Sequence, residues 1–390
     1  MAYIREDLNA HIQDNINTAV TNSFTTFSPL WAFLGAAGTY NRQNPYKETG
    51  NKAGRPTPAR FFGSAMGMTT AQKRAVLGTK DHQIRFVKAE PDNGGSVAYG
   101  GNWPTAAEFA EDNIGTAEFR WGHYVEPIKI RKDFLTMARG ETAVRKAADD
   151  ATKPVLERMF KRVTTDFWTG SLNATRQNDS IWGGNTLSDS GVLGLQHQVN
   201  ENNVWGRVDR SVETNLNAAV WAAGTEIGTS STVELQLIRN VQHGFARTDT
   251  SAKVDGITTR TTNGQGVNCV ITTSELWQTL ANEADGRYEI QVGGIPGTAL
   301  AGFKNPVIAY DNVYITYDNF CPAGEMYLLC MDCWSLEVQQ GKDFFFDGLK
   351  DNTQLAYGGA AIEWGNFEFM PRLICHAPHL QTKITGLTSN

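Results

Sequence analysis

Gly140–Gly170 reads GETAVRKAADDATKPVLERMFKRVTTDFWTG and carries the longest helical pattern in the chain. Ala143, Ala147, Ala151, Val155, Met159, Val163 and Phe167 recur every fourth residue, flanked by Val144, Ala148, Leu156 and Phe160. Arg145, Asp149, Lys153, Glu157, Lys161 and Arg162 fall on the opposite face. This is the period of an amphipathic helix, roughly 3.6 residues per turn. Glu141 suits its start and Gly170 its stop. Pro154 lies inside, where it removes one backbone donor and is expected to bend the axis. At about 1.5 Å per residue the helix spans roughly 40 Å. Alone, such a helix is the core element of an ordinary globular domain; its neighbours along the chain suggest more.

Upstream, His82 to Ala89 alternates with period two through Ile84 and Phe86, and Thr116 to Ile130 through Phe119, Trp121, Tyr124, Ile128 and Ile130. Between them sits the turn-rich tip Pro91–Thr105. Strand, Gly/Asn/Pro tip, strand reads as a long β-hairpin. A hairpin alone is marginal in water, so it either folds back on its own core or is held from outside its domain. Earlier still, Ile4, Leu8, Ile12 and Ile16 form a sparse helical stripe that needs another surface, and Leu30 to Leu34 is an apolar anchor. Residues 35–60 are rich in Gly, Asn, Pro and basic residues, which is the composition of a loop or extended arm.

Downstream, glycines punctuate Ile181–Gly184, Gly191–Leu195 and Asn203–Ser211, predicting turns with positive φ and close backbone approach. Residues 213–223 and 232–245 read as two amphipathic helices. Val267–Thr272 reads as a buried strand, and Ser274–Ala284 as a helix capped by Thr273 or Ser274. Strands are expected at 303–308, 313–317, 325–331, 334–338, 360–368 and 372–376, which makes the fold class α+β.

The 390 residues are 41% hydrophobic, enough for a substantial core. Net charge is −6, which argues against bulk electrostatic binding of nucleic acid. The charge is uneven: residues 41–90 hold ten Lys and Arg against Glu48, Asp81 and Glu90, locally +7, leaving −13 elsewhere. A basic segment on an acidic protein is a solvated arm or a part that docks on an acidic partner, which can be another copy. Five Cys, an odd number, point to a reducing compartment. No secretory signal or membrane-length apolar run is present, so a soluble cytoplasmic product is expected.

Chemistry-bearing patterns are few. Cys330-Met331-Asp332-Cys333, with Cys375, His376 and His379 downstream, has the residue types of a zinc site. Residues three apart on a strand face opposite ways, so buried thiols are the expectation unless a turn at Met331-Asp332 intervenes. Asp149-Asp150 reads as a solvated helix face. The ten Trp admit a carbohydrate-binding hydrolase with catalytic carboxylates, but they are scattered along the chain. No phosphate-loop, nucleophile-elbow, zincin or dinucleotide motif occurs, so no catalytic residue, cofactor or metal is expected.

The order of parts resembles the major capsid protein of tailed bacteriophages, the Hong Kong 97-type fold. The passages that carry the likeness are IWGG and GVLGL (181–195), NNVWGRVDRS (202–211) with Trp221 after it, VITTSELWQTL (270–280) and GFKNPVIAYD (302–311). The resemblance implies an N-terminal arm at 1–40, an extended loop at 41–130 and a spine helix at 140–168. It also implies a peripheral domain from 131–190 and 340–390, and an axial domain at 191–339. On this reading Lys88, Asp92, Tyr99 and Trp103 near the hairpin tip contact a neighbouring subunit. The implied partners are further copies in hexamers and pentamers, a portal, a decoration protein and loosely held packaged DNA, with no membrane. The chain starts almost at the arm with Met1, which favours a separate scaffolding protein. The location would be a virion capsid assembled in a bacterial cytoplasm. The phage that gives the fold its name cross-links a loop Lys to an Asn on a neighbour with help from a Glu. Lys88 on the hairpin and Asn352, Asn366 and Glu363 near the returning strands have those residue types, but they do not align with that set and no cross-link is expected here. An encapsulin-like nanocompartment is the rival within the fold.

Overall fold

The computed structural model describes residues 6–14, 16, 28–30, 72–76, 82–87, 114–131, 141–170, 192–201, 204–224, 231–239, 267, 269–285, 290–291, 306–310, 313–352 and 362–389. Sixteen strands occur among them: β1 (Gln72–Val76), β2 (His82–Val87), β3 (Ile114–Phe119), β4 (Tyr124–Arg131), β5 (Ala219–Ala222), β6 (Cys269–Thr272), β7 (Ile290–Gln291), β8 (Val307–Tyr310), β9 (Val313–Tyr317), β10 (Met326–Leu329), β11 (Trp334–Gln339), β12 (Phe345–Phe346), β13 (Lys350–Asn352), β14 (Ile362–Phe369), β15 (Pro371–Cys375) and β16 (Thr382–Thr385). With the helices they make a mixed α+β protein. No described helix is long and apolar enough to cross a membrane.

The long helix is continuous over Glu141–Thr169. Thr152, Val155, Leu156, Met159, Phe160, Val163, Thr164, Phe167 and Trp168 are buried, while Lys153, Glu157 and Lys161 are exposed, as the spacing predicts. Pro154 is on the exposed side, and so is Asp150, whose carbonyl loses its helical donor there and can turn to water. Burying a Leu, Met or Phe side chain contributes about 1.5–3 kcal/mol, so this stripe is a large share of the core.

The helix lies on a four-stranded sheet in which β14 is central, with β4 along one edge and β12 and β13 along the other. β4 alternates without a break: Tyr124, Ile128 and Ile130 point in, Val125, Pro127 and Lys129 out. Phe344 stacks on Phe369 at 4.0 Å and meets Phe160 of the helix at 5.2 Å. Residues 6–14 form a helix that closes the same core with Leu8, Ile12 and Ile16. Its polar side is fastened as well. Leu349 N–H donates to Asn9 Oδ1 at 2.9 Å, and Phe346 N–H to Gln13 Oε1 at 3.0 Å. The N-terminal stripe therefore lies on another surface, as its polarity requires, and Leu30 is buried as its anchor role predicts.

A seven-stranded sheet runs in the order β5-β16-β10-β6-β9-β8-β7. Its central strands are buried on both faces, hence their near-continuous apolar runs. Ile271, Tyr327 and Leu329 face the long-helix core. Val270, Ile308, Ile315 and Leu328 face a second core closed by helix Ser274–Ala284. That helix is capped by Thr273, whose side chain accepts from Leu276 N–H. β11 joins β15 and the parallel strand β1 in a three-stranded sheet.

Two local readings change, and one strand has no local signal. Thr116–Ile130 is two strands, because residues 120–123 pivot the chain from the β2–β3 hairpin into the four-stranded sheet. There buried Gly122 donates its N–H to Pro371 O at 2.8 Å. Residues 213–223 are a short turn of 3-10 helix (Thr214–Leu216) and β5 rather than an amphipathic helix. β5 gains parallel pairing with β16, and that pairing outweighs a weak helical spacing. Finally β1, in a stretch with no clear strand alternation, is placed by β11 alone.

Candidate functional site

The best-defined candidate feature is the seat of the β2–β3 hairpin. β2 and β3 pair antiparallel over six residues, from His82 opposite Phe119 to Val87 opposite Ile114. As a sheet they pair only with each other among the described strands. Ile84 and Phe86 turn toward the body and Gln83 and Arg85 away from it. Gly115 in β3 leaves room for the Phe86 ring, which a Cβ there would displace.

The Gly-rich passage after the long helix builds the socket. Trp205 and Val208 form a two-residue hairpin, each N–H donating to the other's carbonyl at 2.9 Å. Gly206 (φ 53°) and Arg207 (φ 68°) both have positive φ, the mark of a type I′ turn. Gly206 O accepts from Glu118 N–H at 2.7 Å, so the turn bonds directly to β3. Arg207 is paired with Glu118, which also accepts from Gln83 at 3.0 Å. Trp205 is fully buried, edge-on to Phe119 at 5.2 Å and Phe86 at 6.4 Å. Its indole N–H donates to Cys375 O at 3.1 Å, which ties the socket to the end of β15.

Arg210, from the same passage, is also buried and donates to Gln198 O and His197 O at 2.8 and 2.6 Å. Burial lowers its pKa to about 10, so it stays charged near neutrality. Gln198 bridges onward, giving N–H to Leu193 O and Leu373 O and accepting from Cys375 N–H. The GVLGL passage abuts the end of the long helix: Gly194 N–H donates to Gly170 O at 2.7 Å. A Cβ at Gly170 would lie 2.3 Å from Asp166 O, which explains a glycine at the helix end. Tyr124 O–H donates to Asp166 at 3.0 Å and accepts from Val192 N–H at 3.2 Å. Burial raises the Asp166 pKa, opposed by that hydrogen bond and by Arg162.

Beneath the hairpin β11 and β15 carry a buried ion pair. Arg372 Nε donates to Glu337 Oε2 at 2.5 Å, and its guanidinium lies 4.0 Å over the Trp121 ring.

The other sequence expectations fare differently. Lys88, Asp92, Tyr99 and Trp103 lie outside the described residues. Glu363 and Asn366 are both on β14, but strand alternation points Glu363 into the protein and Asn366 to the other face, so the two do not meet. Asp149 is not merely solvated: it is 3.0 Å from His11 Nε2. Cys330 and Cys333 are brought together by a short 3-10 turn, Met331–Cys333, with their sulfurs 3.5 Å apart. His376 is 2.8 Å from Ser335 instead, and no group of three or more metal-ligating side chains occurs among the described residues.

No family model and no curated protein matches the chain. Solved structures do. The Cyanophage A-1(L) capsid asymmetric unit is 11% identical, with a TM-score of 0.48, over 81% of this chain and 90% of that one. The holo-SrpI encapsulin complex from Synechococcus elongatus PCC 7942 is 8% identical, with a TM-score of 0.45, over 82% and 86%. Gordonia phage Cozz is 9% identical, with a TM-score of 0.41, over 88% and 90%.

Proposed function

We propose that the chain is a major capsid protein of the Hong Kong 97-type fold, which self-assembles into the icosahedral head of a tailed bacteriophage. The observation that carries this reading is the hairpin seat. The root of the β2–β3 ribbon is clamped by Trp205, the Gly206–Arg207 turn and Glu118, while its strands find no further strand partner among the described residues. A ribbon with a rigid root and an unpartnered edge is a liability in a monomer and a contact in a closed assembly. The basic stretch at 41–90 against an acidic remainder suits copies docking arm to body.

In this reading residues 1–40 are the arm and 41–130 the extended loop. The helix 140–168 is the spine of a peripheral domain drawn from 131–190 and 340–390, and 191–339 form the axial domain. The peripheral domain lends β16 to the axial sheet. Lys88, Asp92, Tyr99 and Trp103 contact the neighbouring subunit. Hexamers and pentamers close around double-stranded DNA, held by weak contacts because the net charge is −6. Assembly in the bacterial cytoplasm uses a separate scaffold, a portal and, on some shells, a decoration protein. The chain has no catalytic role.

Deleting Asp92–Trp103 tests the proposal. The expected product is a soluble folded subunit that forms no stable shells by sedimentation and negative-stain microscopy, whereas the full chain forms closed particles or free capsomers. Stable shells from the deletion would remove the hairpin from the mechanism. A full chain that stays monomeric, alone and co-expressed with its neighbouring genes, would remove the shell reading altogether. Double-stranded DNA inside the particles separates a phage head from a compartment that holds protein cargo.

A further inference from the structure

The chain crosses between the seven-stranded and three-stranded sheets at two places that touch each other. One crossing is Cys330–Cys333, between β10 and β11; the other is His376–Gln381, between β15 and β16. His376 N–H donates to Cys333 O at 2.7 Å. Gln381 Oε1 accepts from Cys330 N–H at 2.9 Å and from the Trp334 indole at 3.2 Å. The first crossing is thus held in one conformation by the second.

That conformation pairs two thiols. Cys333 N–H donates to Cys330 O at 3.2 Å, closing a turn, and the sulfurs rest 3.5 Å apart. A closed four-residue turn keeps its terminal Cα atoms within about 7 Å, and a disulfide needs roughly 4.4–6.8 Å. Cys330 is fully buried, whereas Cys333 is only partly buried. The other three cysteines, Cys269, Cys321 and Cys375, are buried.

We propose that Cys330 and Cys333 form a reversible dithiol–disulfide site whose reactant is a low-molecular-weight disulfide such as oxidised glutathione. Cys333, as thiolate, attacks one sulfur of the small disulfide and expels the other half as a thiol, leaving a mixed disulfide on Cys333. Cys330 then loses its proton and attacks Cys333 Sγ, which releases the second small thiol and forms the Cys330–Cys333 bond. The two protein sulfurs give up two electrons in all, which reduce the small disulfide to two thiols. The two protons lost by the protein end on those thiols. The ring closed is only four residues, so the bond constrains the unfolded chain little. Its effect is local: it pins the crossing between the two sheets. The inference stands on the geometry of the turn and is independent of shell assembly.

The test is thiol mapping of the folded full chain. The protein is incubated with oxidised glutathione, acid-quenched, alkylated in denaturant, reduced, alkylated with a second mass label and digested. The expected result is loss of two of the five alkylatable thiols, mapped to Cys330 and Cys333 and restored by dithiothreitol. Cys330→Ser should stop at a glutathione adduct on Cys333, and Cys333→Ser should leave Cys330 unmodified. Five thiols that all remain free, or a disulfide that maps to Cys375, would overturn the proposal. The wild-type map decides the question even if a variant fails to fold.

Discussion

Five of the seven strands in the large sheet, β6 to β10, come from the single stretch 269–329, whereas the layer around the long helix is gathered from distant parts of the chain. Leu8, Ile12 and Ile16 meet Tyr124, the helix itself, Phe344 and Phe369 in one core. Both regions are densely buried, so burial does not separate them; sequence separation does. Contacts between neighbours in the chain form with small losses of loop entropy, and distant ones require large loops to close first. The large sheet is thus the locally encoded half, and the helix layer the half that depends on the whole chain being present.

The sharpest way to break this comparison is at the hairpin seat. Trp205→Ala removes the indole that holds Phe86, Phe119 and Cys375 O, and should cost about 3–5 kcal/mol in denaturant unfolding. If it costs under about 1 kcal/mol, the seat is not a rigid root. Ile12→Ala should cost about 2–4 kcal/mol, confined to the helix layer. Hydrogen exchange should quicken in β4 and β14 and stay slow in β6 and β9; equal quickening in both would make the two regions one cooperative unit.

Smaller effects probe the large sheet. Thr273→Ala removes the cap on Leu276 N–H, made at 3.5 Å, and should cost about 0.5–1 kcal/mol by thermal melting. The subtlest test is the slope of stability with pH. Asp318 is buried, accepts from Ser28 O–H and from Phe320 N–H at 2.9 Å, and has its pKa raised above 3.8 by burial, against those hydrogen bonds. The folded state therefore holds this proton to higher pH than the unfolded state does. Its contribution to stability is full below about pH 4 and declines as pH rises through the folded pKa. Asp318→Asn keeps an acceptor for Phe320 N–H at Oδ1, places an amide N–H donor toward Ser28 Oγ in place of the second oxygen, and removes the titration, so it should flatten that decline; an unchanged slope would assign the titration elsewhere.

Periodicity and capping alone made much of this legible. The stripe from Val155 to Phe167, the alternation in β4, the buried run of β6 and β9, and the Thr273 cap are local patterns imposed by helix and strand geometry, so they show in the order of residues. Gly170 was readable as a helix stop, and Gly194 and Gly206 as turn or close-approach positions: a Cβ at Gly194 would meet backbone, and Gly206 has a positive φ. Trp205, Glu118 and Arg207 were readable as a passage but not as a socket, since nothing local says that residues almost ninety positions apart will pair.

The amino-acid sequence by itself determined the long amphipathic helix, the paired strands of the hairpin, the turns and the α+β class, because each depends on residues within a turn or two of one another. Only the tertiary structure decided that β1 and β5 are strands, that β16 returns to the large sheet, that Glu363 and Asn366 face opposite ways, and that Cys330 and Cys333 meet across a turn. In the strand placements the backbone groups or side chains find their partners in chain segments far away, and the free energy that selects the conformation is realised only when those segments pack.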